Sequence, residues 1–298
     1  MLISKLGEFG LIERFRKQIK NDPSVIKGSG DDCAVLRLDK GSYQLFTCDM
    51  IVEGVDFTLK DDPYLIGRKA IAISISDIAS CGGIPRYCVV SLAIAKNTTV
   101  GFADKIFKGM LDTAGAYKVN IVGGDLSAAK RIVLDVSMLG IVEKKNLALR
   151  SRAKIGDIIL VTGALGGSIS GKHLRFTPRL KEARFLVNNF SVRAMIDISD
   201  GLIQDLRHIL DQSRVGALLY EEFIPLSEKA RGLNDALYSG EDFELLFTLS
   251  PKDAKALLKR RPDEFRAIGE IVDKSCGLRL VDKKNRSNRV KFKGYRHF

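Results

Sequence analysis

The stretch AIAISISDIASCGGIP, residues 70–85, decides the fold. Every residue in it except Asp77 is apolar or small. Gly82, Gly83 and Pro85 close it as a helix is closed, with residues that accept a left-handed turn and a proline that cannot continue. It reads as a buried helix with one acid near its C-terminal end. The helix dipole disfavours a carboxylate there, and burial disfavours it more. A bound cation would offset both costs. So would pairing with Arg or Lys, or capping of a neighbouring loop, and the stretch alone leaves all three open.

Outward from that helix, 298 residues suit two domains of about 150 each. The sequence is 45% hydrophobic, enough for a sizeable core and too much for wholesale disorder. It lacks Trp, so no tryptophan stacking platform exists. A net charge of +12 attracts anions: nucleic acid, an acidic membrane face or phosphorylated small molecules. The surplus is densest at Lys283, Lys284, Arg286, Arg289, Lys291, Lys293 and Arg296, where simple solvation is the plainer reading. The cysteines Cys33, Cys48, Cys81, Cys88 and Cys276 form no CxxC and suit neither zinc nor a disulfide framework, which fits a reducing cytoplasm. MLISKLGEFG lacks the apolar core expected of a signal peptide, and no apolar run reaches the roughly 20 residues of a membrane span.

Residues 8–20 predict an amphipathic helix through Leu11, Ile12, Phe15 and Ile19. The glycine-rich turn GSGDD, residues 28–32, follows. Strands are expected at 33–38 and 43–47, the second ending in Cys48-Asp49. Residues 87–95 form a strand, 103–117 a helix, 120–122 a short strand stopping at Gly123-Gly124-Asp125, and 132–142 a long alternating strand. Residues 144–156 read as a basic linker poor in apolar groups, so the domains are set at 1–143 and 144–298. The second half predicts strands at 157–162, 195–198, 217–220, 243–249, 267–271, 278–281 and 290–292. Its helices fall at 178–188, from Leu202 onward, and at 251–261. Mixed strands and helices of this kind define an α/β (α+β) fold.

Asp31, Asp32, Asp49, Asp77, Asp125, Asp197 and Asp200 recur at expected strand ends or glycine turns. Acids gathered from distant segments without His or Cys companions suit a hard cation such as Mg²⁺, and such a site commonly serves a nucleotide. Singly, each Asp-Gly pair is an ordinary turn; the recurrence carries the reading. GGSISGKH, residues 166–173, matches a phosphate-binding loop except for its last position, where His173 replaces the Ser or Thr that would reach the metal. It reads better as a glycine-rich connection. His173, His208 and His297 sit in no recognisable nucleophile motif.

GSGDD, TCDM with VEGVDF, SDIASCGGIPR, VGGD, RSRAKIGD, DISDGL, SGEDFELLF and the terminal KGYRHF occur in that order over nearly the whole chain. Together they resemble the thiamine-monophosphate kinase family, within the superfamily that includes aminoimidazole ribonucleotide synthetase. The resemblance implies a two-domain architecture, a homodimer whose N-terminal sheets pair, and Mg²⁺-assisted phosphorylation of thiamine phosphate by ATP. It implies that Asp32, Thr47, Cys48 (through its carbonyl), Asp49, Asp77, Asp125, Asp197 and Asp200 hold several metal ions. Gly124, Asp125, Arg150 and Ser199 would meet ATP; Asp56, Glu241 and Tyr295 would meet thiamine phosphate. Asp77, Asp49, Asp125 and Arg150 would carry the chemistry. The chain departs from the family at Asp56, where His is frequent, and at Leu126, where Thr is frequent. The alternatives are a selenophosphate synthetase, a hydrogenase-maturation protein or a purine-pathway synthetase. The first would need a reactive Cys near the N-terminus and the second a C-terminal Cys, and the sequence supplies neither. A basic nucleic-acid-binding protein is a further alternative, but no recognition motif accompanies the charge, so neither nucleic acid nor membrane is expected as a partner.

Overall fold

The computed structural model describes residues 2–290. The first half carries α1 (Ile3–Leu6), α2 (Glu8–Arg16), β1 (Val25–Lys27), β2 (Ala34–Arg37), β3 (Ser42–Val52), α3 (Pro63–Ser80), β4 (Ile84–Ile94), α4 (Val100–Ala116), β5 (Asn120–Ala128) and β6 (Val133–Glu143). The strands form a six-stranded sheet in the order β1-β2-β3-β6-β4-β5. Its pairs are antiparallel except β4 with β5.

α3 organises this half. Asp62 caps its N-terminus by accepting from Tyr64 N at 3.0 Å, and Pro63 fills the first turn, where its missing N–H costs nothing. At the other end Gly82 turns to φ +74°; Gly82 N donates to Ala79 O at 2.7 Å and Gly83 N to Ile78 O at 2.9 Å. That pair of bonds satisfies the last carbonyls and stops the helix. α3 lies on β3 and β6, with α4 packed beside it. β6 shows the matching period of two: Leu134, Val136, Met138 and Val142 face the core.

The second half adds β7 (Ile158–Thr162), α5 (Lys172–Arg175), α6 (Leu180–Asn189), β8 (Ala194–Asp197), α7 (Leu202–Ser213), β9 (Gly216–Tyr220), α8 (Leu233–Tyr238), β10 (Leu245–Leu249), α9 (Pro251–Arg260), β11 (Phe265–Val272), β12 (Leu278–Val281) and β13 (Ser287–Arg289). Its seven strands run β13-β12-β9-β11-β7-β10-β8. β8 and β10 are buried at every position, so their residues show no alternation of apolar and polar. α3 also touches β8 and α6, and so joins the two halves.

Several elements differ from the sequence reading. β3 does not stop at Cys48; it pairs with β6 from Ser42 to Val52. β5 runs through Gly123-Gly124-Asp125 because β4 pairs with it to Ala128. Gly124 serves close strand approach there, since a Cβ would stand 1.9 Å from Val90 O. The connection at 144–156 is no exposed linker. Leu147, Ala148 and Leu149 are buried, and Ala148 N donates to Cys81 O at 3.2 Å. The last strand ends at Arg289, before the expected 290–292, of which 291 and 292 lie outside the described residues. α2 is helical as expected, yet none of its residues is buried and Phe15 is 55% exposed.

Candidate active site

A buried helix must satisfy every polar side chain it carries. α3 carries Ser74, Ser76, Asp77 and Ser80, and each serine meets an acid from another segment. Ser74 Oγ donates to Asp49 Oδ2 on β3 at 2.8 Å. Ser76 Oγ donates to Asp197 Oδ2 at the end of β8 at 2.6 Å. Ser80 Oγ donates to Asp32 Oδ2, just before β2, at 2.5 Å. Thr47 Oγ1 on β3 donates to Asp77 Oδ2 at 2.5 Å. One oxygen from each of Asp32, Asp77 and Asp197 falls within 4.8 Å of the other two. The sequence reading missed the three serines. Their signal was present, as hydroxyls inside an otherwise apolar helix.

The charges are crowded. Burial, then the neighbouring Asp49, Asp197 and Asp32, holds the Asp77 carboxyl well above the usual range. Burial likewise lifts Asp49 to about 6 and Asp197 to about 7, each reinforced by Asp32 and partly offset by its serine. Arg150 answers part of this charge: Nε donates to Asp32 Oδ1 at 3.1 Å, and Nη2 donates to the same oxygen. Arg150 N also donates to Asp31 Oδ1 at 3.2 Å.

Asp49 also walls a cavity of about 640 Å³, together with Asp56, Lys69, Ser199, Asp200 and Glu241. Asp56 Oδ2 accepts from Val52 N at 2.7 Å, which closes the turn after β3. Asp200 N donates to Asp205 Oδ2 at 3.0 Å, and Asp200, Asp205 and His208 offer ligand atoms within 4.8 Å of one another. The loop after α8 is pressed onto Ser199. Glu241 N donates to Ser199 O at 2.7 Å, and a Cβ on Gly240 would lie 2.1 Å from that same oxygen. Lys69, buried on α3, donates to Asp56 O at 2.9 Å and to Glu241 Oε1. Nothing in the sequence marked Lys69, because its partner lies 172 residues away.

Other expected residues fall elsewhere. Cys48 and Asp125 lie on the opposite face of the first sheet from Asp49. Cys48 Sγ there sits 3.2 Å from Asp135 Oδ2, and Asp125 is exposed in register with Ser91. Gly124 shares that exposed strand. Tyr295 lies outside the described residues. Residues 166–173 form a connection, not a phosphate loop. Lys172 Nζ is taken by Ala164 O at 2.9 Å and Glu244 Oε1 at 2.8 Å, and Ser168 Oγ by Asp242.

This chain is similar to known proteins over most of its length. The family model "AIR synthase related protein, N-terminal domain" matches residues 30–142, and "AIR synthase related protein, C-terminal domain" matches residues 154–281. The thiamine-monophosphate kinase of Buchnera aphidicola subsp. Schizaphis graminum is 34% identical over 98% of this chain and 99% of its own length. That of Bacillus subtilis is 32% identical over 98% of this chain and 100% of its own. The solved structure of AaThiL complexed with AMPPCP and TMP is 28% identical and covers 100% of this chain and 99% of its own, with a TM-score of 0.87. Matches of this extent, over a chain whose acids converge on one helix, mean that it belongs to the thiamine-monophosphate kinase family.

Proposed function

We propose that this chain transfers the γ-phosphoryl group of ATP to thiamine phosphate, giving thiamine diphosphate and ADP. The observation that carries the reading is the convergence of Asp32, Asp77 and Asp197, with Asp49 linking them to the cavity. A phosphate oxygen of the acceptor forms the new bond to the γ-phosphorus. The bond to the β,γ-bridging oxygen breaks, and its electron pair leaves with ADP. No general base is needed, because a phosphate monoester with a second pKa near 6 is already ionised at neutral pH. The histidines fit this chemistry. His173 is buried with Nδ1 at 3.0 Å from Ser168 O, and burial pushes His208 down to about 3.

The acid cluster fits Mg²⁺. Its donors are all hard oxygens, and burial with mutual repulsion makes their ionised forms costly unless a cation beyond Arg150 joins them. Asp32, Asp49, Asp77, Asp197 and Asp200, with Thr47 and the Cys48 carbonyl, would hold the ions. Bound there, the ions would supply charge neutralisation between two polyanions and toward the transferring group. Arg150 gives Nε and Nη2 to Asp32, which leaves further N–H donors of its guanidinium for a nucleotide phosphate. Ser199 sits beside the nucleotide, while Asp56, Glu241 and Tyr295 receive thiamine phosphate.

Asp125 faces away from the chain's own cluster, so we assign it, with the backbone of its neighbour Gly124 on the exposed edge strand, to the site of a second copy in a homodimer. Phe46, Met50, Val89, Val122 and Leu126 are exposed on that outer face or its edge strand, an apolar surface that pairing of two sheets would cover. We set the domains at 1–143 and 144–298 and place the enzyme in the cytoplasm, in keeping with five free cysteines. No helix among the described residues is long and apolar enough to cross a membrane. The basic surplus then attracts phosphorylated substrates and no nucleic acid.

The test is an assay with ATP, Mg²⁺ and a panel of thiamine phosphate, thiamine, selenide and an aminoimidazole precursor. ADP and thiamine diphosphate should form with thiamine phosphate alone. ADP release with a different acceptor only would overturn the reading.

A further inference from the structure

The wall of the cavity contains an ion pair, Lys69 with Glu241, whose buried lysine the chemistry above leaves without a role. Lys69 is 1% exposed, and its ammonium donates to Glu241 Oε1 and to Asp56 O. An ammonium withdrawn from water needs such partners, because an unpaired buried charge is strongly destabilising. The pair joins α3 to a loop held in an uncommon shape. Glu241 has φ +63° and Phe243 has φ +51°, values that side-chain-bearing residues seldom adopt. Ser199 O and Ile198 O hold the backbone of that loop by accepting from Glu241 N and Phe243 N. The Lys69 ammonium holds its side chain.

Position along the helix matters as much as the pairing. Lys69, Ile73 and Asp77 stand at i, i+4 and i+8, so they share one face of α3. Lys69 and Ile73 line the cavity. Eight residues of helix separate the acid cluster from the ion pair by about 12 Å. We infer that Lys69 is a positioning residue: it fixes Glu241 and the Asp56 turn at the far end of the cavity, so that α3 sets the distance between the acceptor's phosphate and its ring end. The inference rests on the proposed reaction. The hydrogen bonds among described residues engage Oε1 of Glu241, and Oε2 is left to accept from the substrate's ring amino group. Glu241 is 27% exposed at its side chain, enough to meet a ligand while anchored from behind.

The experiment compares wild type, Lys69→Met, Lys69→Arg, Glu241→Gln and the Lys69→Met/Glu241→Gln double variant in steady-state kinetics with ATP and thiamine phosphate. Lys69→Met should raise KM for thiamine phosphate at least about tenfold, as expected when a buried charge-assisted contact is lost, with kcat within about threefold and KM for ATP unchanged. Lys69→Arg should recover part of that loss. The double variant, which leaves no buried charge unpaired, should bind thiamine phosphate no worse than the poorer single variant. If Lys69→Met fails to fold, the double variant and Lys69→Arg still give the comparison. A fall in kcat with unchanged KM, equal rises in KM for both substrates, or additive losses in the double variant would overturn the positioning role. Absence of wild-type turnover with thiamine phosphate would instead overturn the reaction itself.

Discussion

The two faces of the first sheet are made by the same strands and have opposite characters. On β3, Leu45, Thr47, Asp49 and Ile51 point under α3, while Phe46, Cys48 and Met50 point away, with Met50 58% exposed. The inner face is a closed system of apolar packing and serine-anchored acids. The outer face is an open apolar surface with Asp125 and Asp135 on it. The lesson is in the motif TCDM, residues 47–50. Read as one unit it suggests three neighbouring ligands, Thr47, Cys48 and Asp49, but a strand sends alternate side chains to opposite sides. Thr47 reaches Asp77 and Asp49 reaches Ser74, whereas the side chains of Cys48 and Met50 are exposed on the opposite face.

The largest test of this contrast removes one acid from each face. Asp77→Asn and Asp125→Asn should each lower kcat by about a hundredfold or more, with circular dichroism unchanged. Mixed and allowed to exchange subunits, the two inactive variants should regain about a quarter of wild-type activity, because half the dimers then hold one intact site. No regained activity after demonstrated exchange would place Asp125 in its own chain's site and break the comparison.

A smaller effect is expected from Met50→Asp. A charge at the centre of the outer face should shift sedimentation toward the monomer and reduce activity in parallel, while the inner-face core keeps its thermal stability. A variant that stays dimeric would mean that a different surface pairs.

The smallest effect concerns the seam between the two halves. Arg184 holds Glu143 bidentately, Nη1 on Oε2 and Nη2 on Oε1, both at 2.9 Å. Arg184 lowers the Glu143 carboxyl to about 2 from its usual 4.5. A depressed carboxyl stabilises the fold above its unfolded pKa, and that contribution is lost as pH falls from about 4.5 toward 2. Glu143 is 43% exposed, so solvent screening leaves less than about 1 kcal/mol. Glu143→Gln should therefore narrow the gap in denaturant midpoint between pH 6 and pH 3 by a small amount. An unchanged gap would mean that the pair adds nothing to the seam.

Much of this molecule could be read from local pattern. The stretch at 70–85 is helical to Ser80 with its glycine stop in place, and the alternation at 132–142 yields the long central strand β6. The acids Asp32, Asp49, Asp77 and Asp197 were singled out by glycine turns and expected strand ends, though Asp49 lies inside its strand. Strand lengths were misread at β3 and β5, because pairing with β6 and β4 extends a strand past residues that would otherwise turn. The connection at 144–156 was misread because three apolar residues suffice to bury it: Leu147 and Leu149 join the first core and Ala148 a second one.

The chain's order of residues thus determined which segments are helix and strand, and which acids are available, since both follow from spacing and side-chain type within a few residues. Tertiary structure alone decided that three serines of one helix each hold a different distant carboxylate, that Lys69 finds Glu241, and that Asp125 turns its back on Asp77. Those outcomes depend on which surfaces pack together. Burial makes each isolated polar group too costly to leave without a partner, but only the packing names the partner.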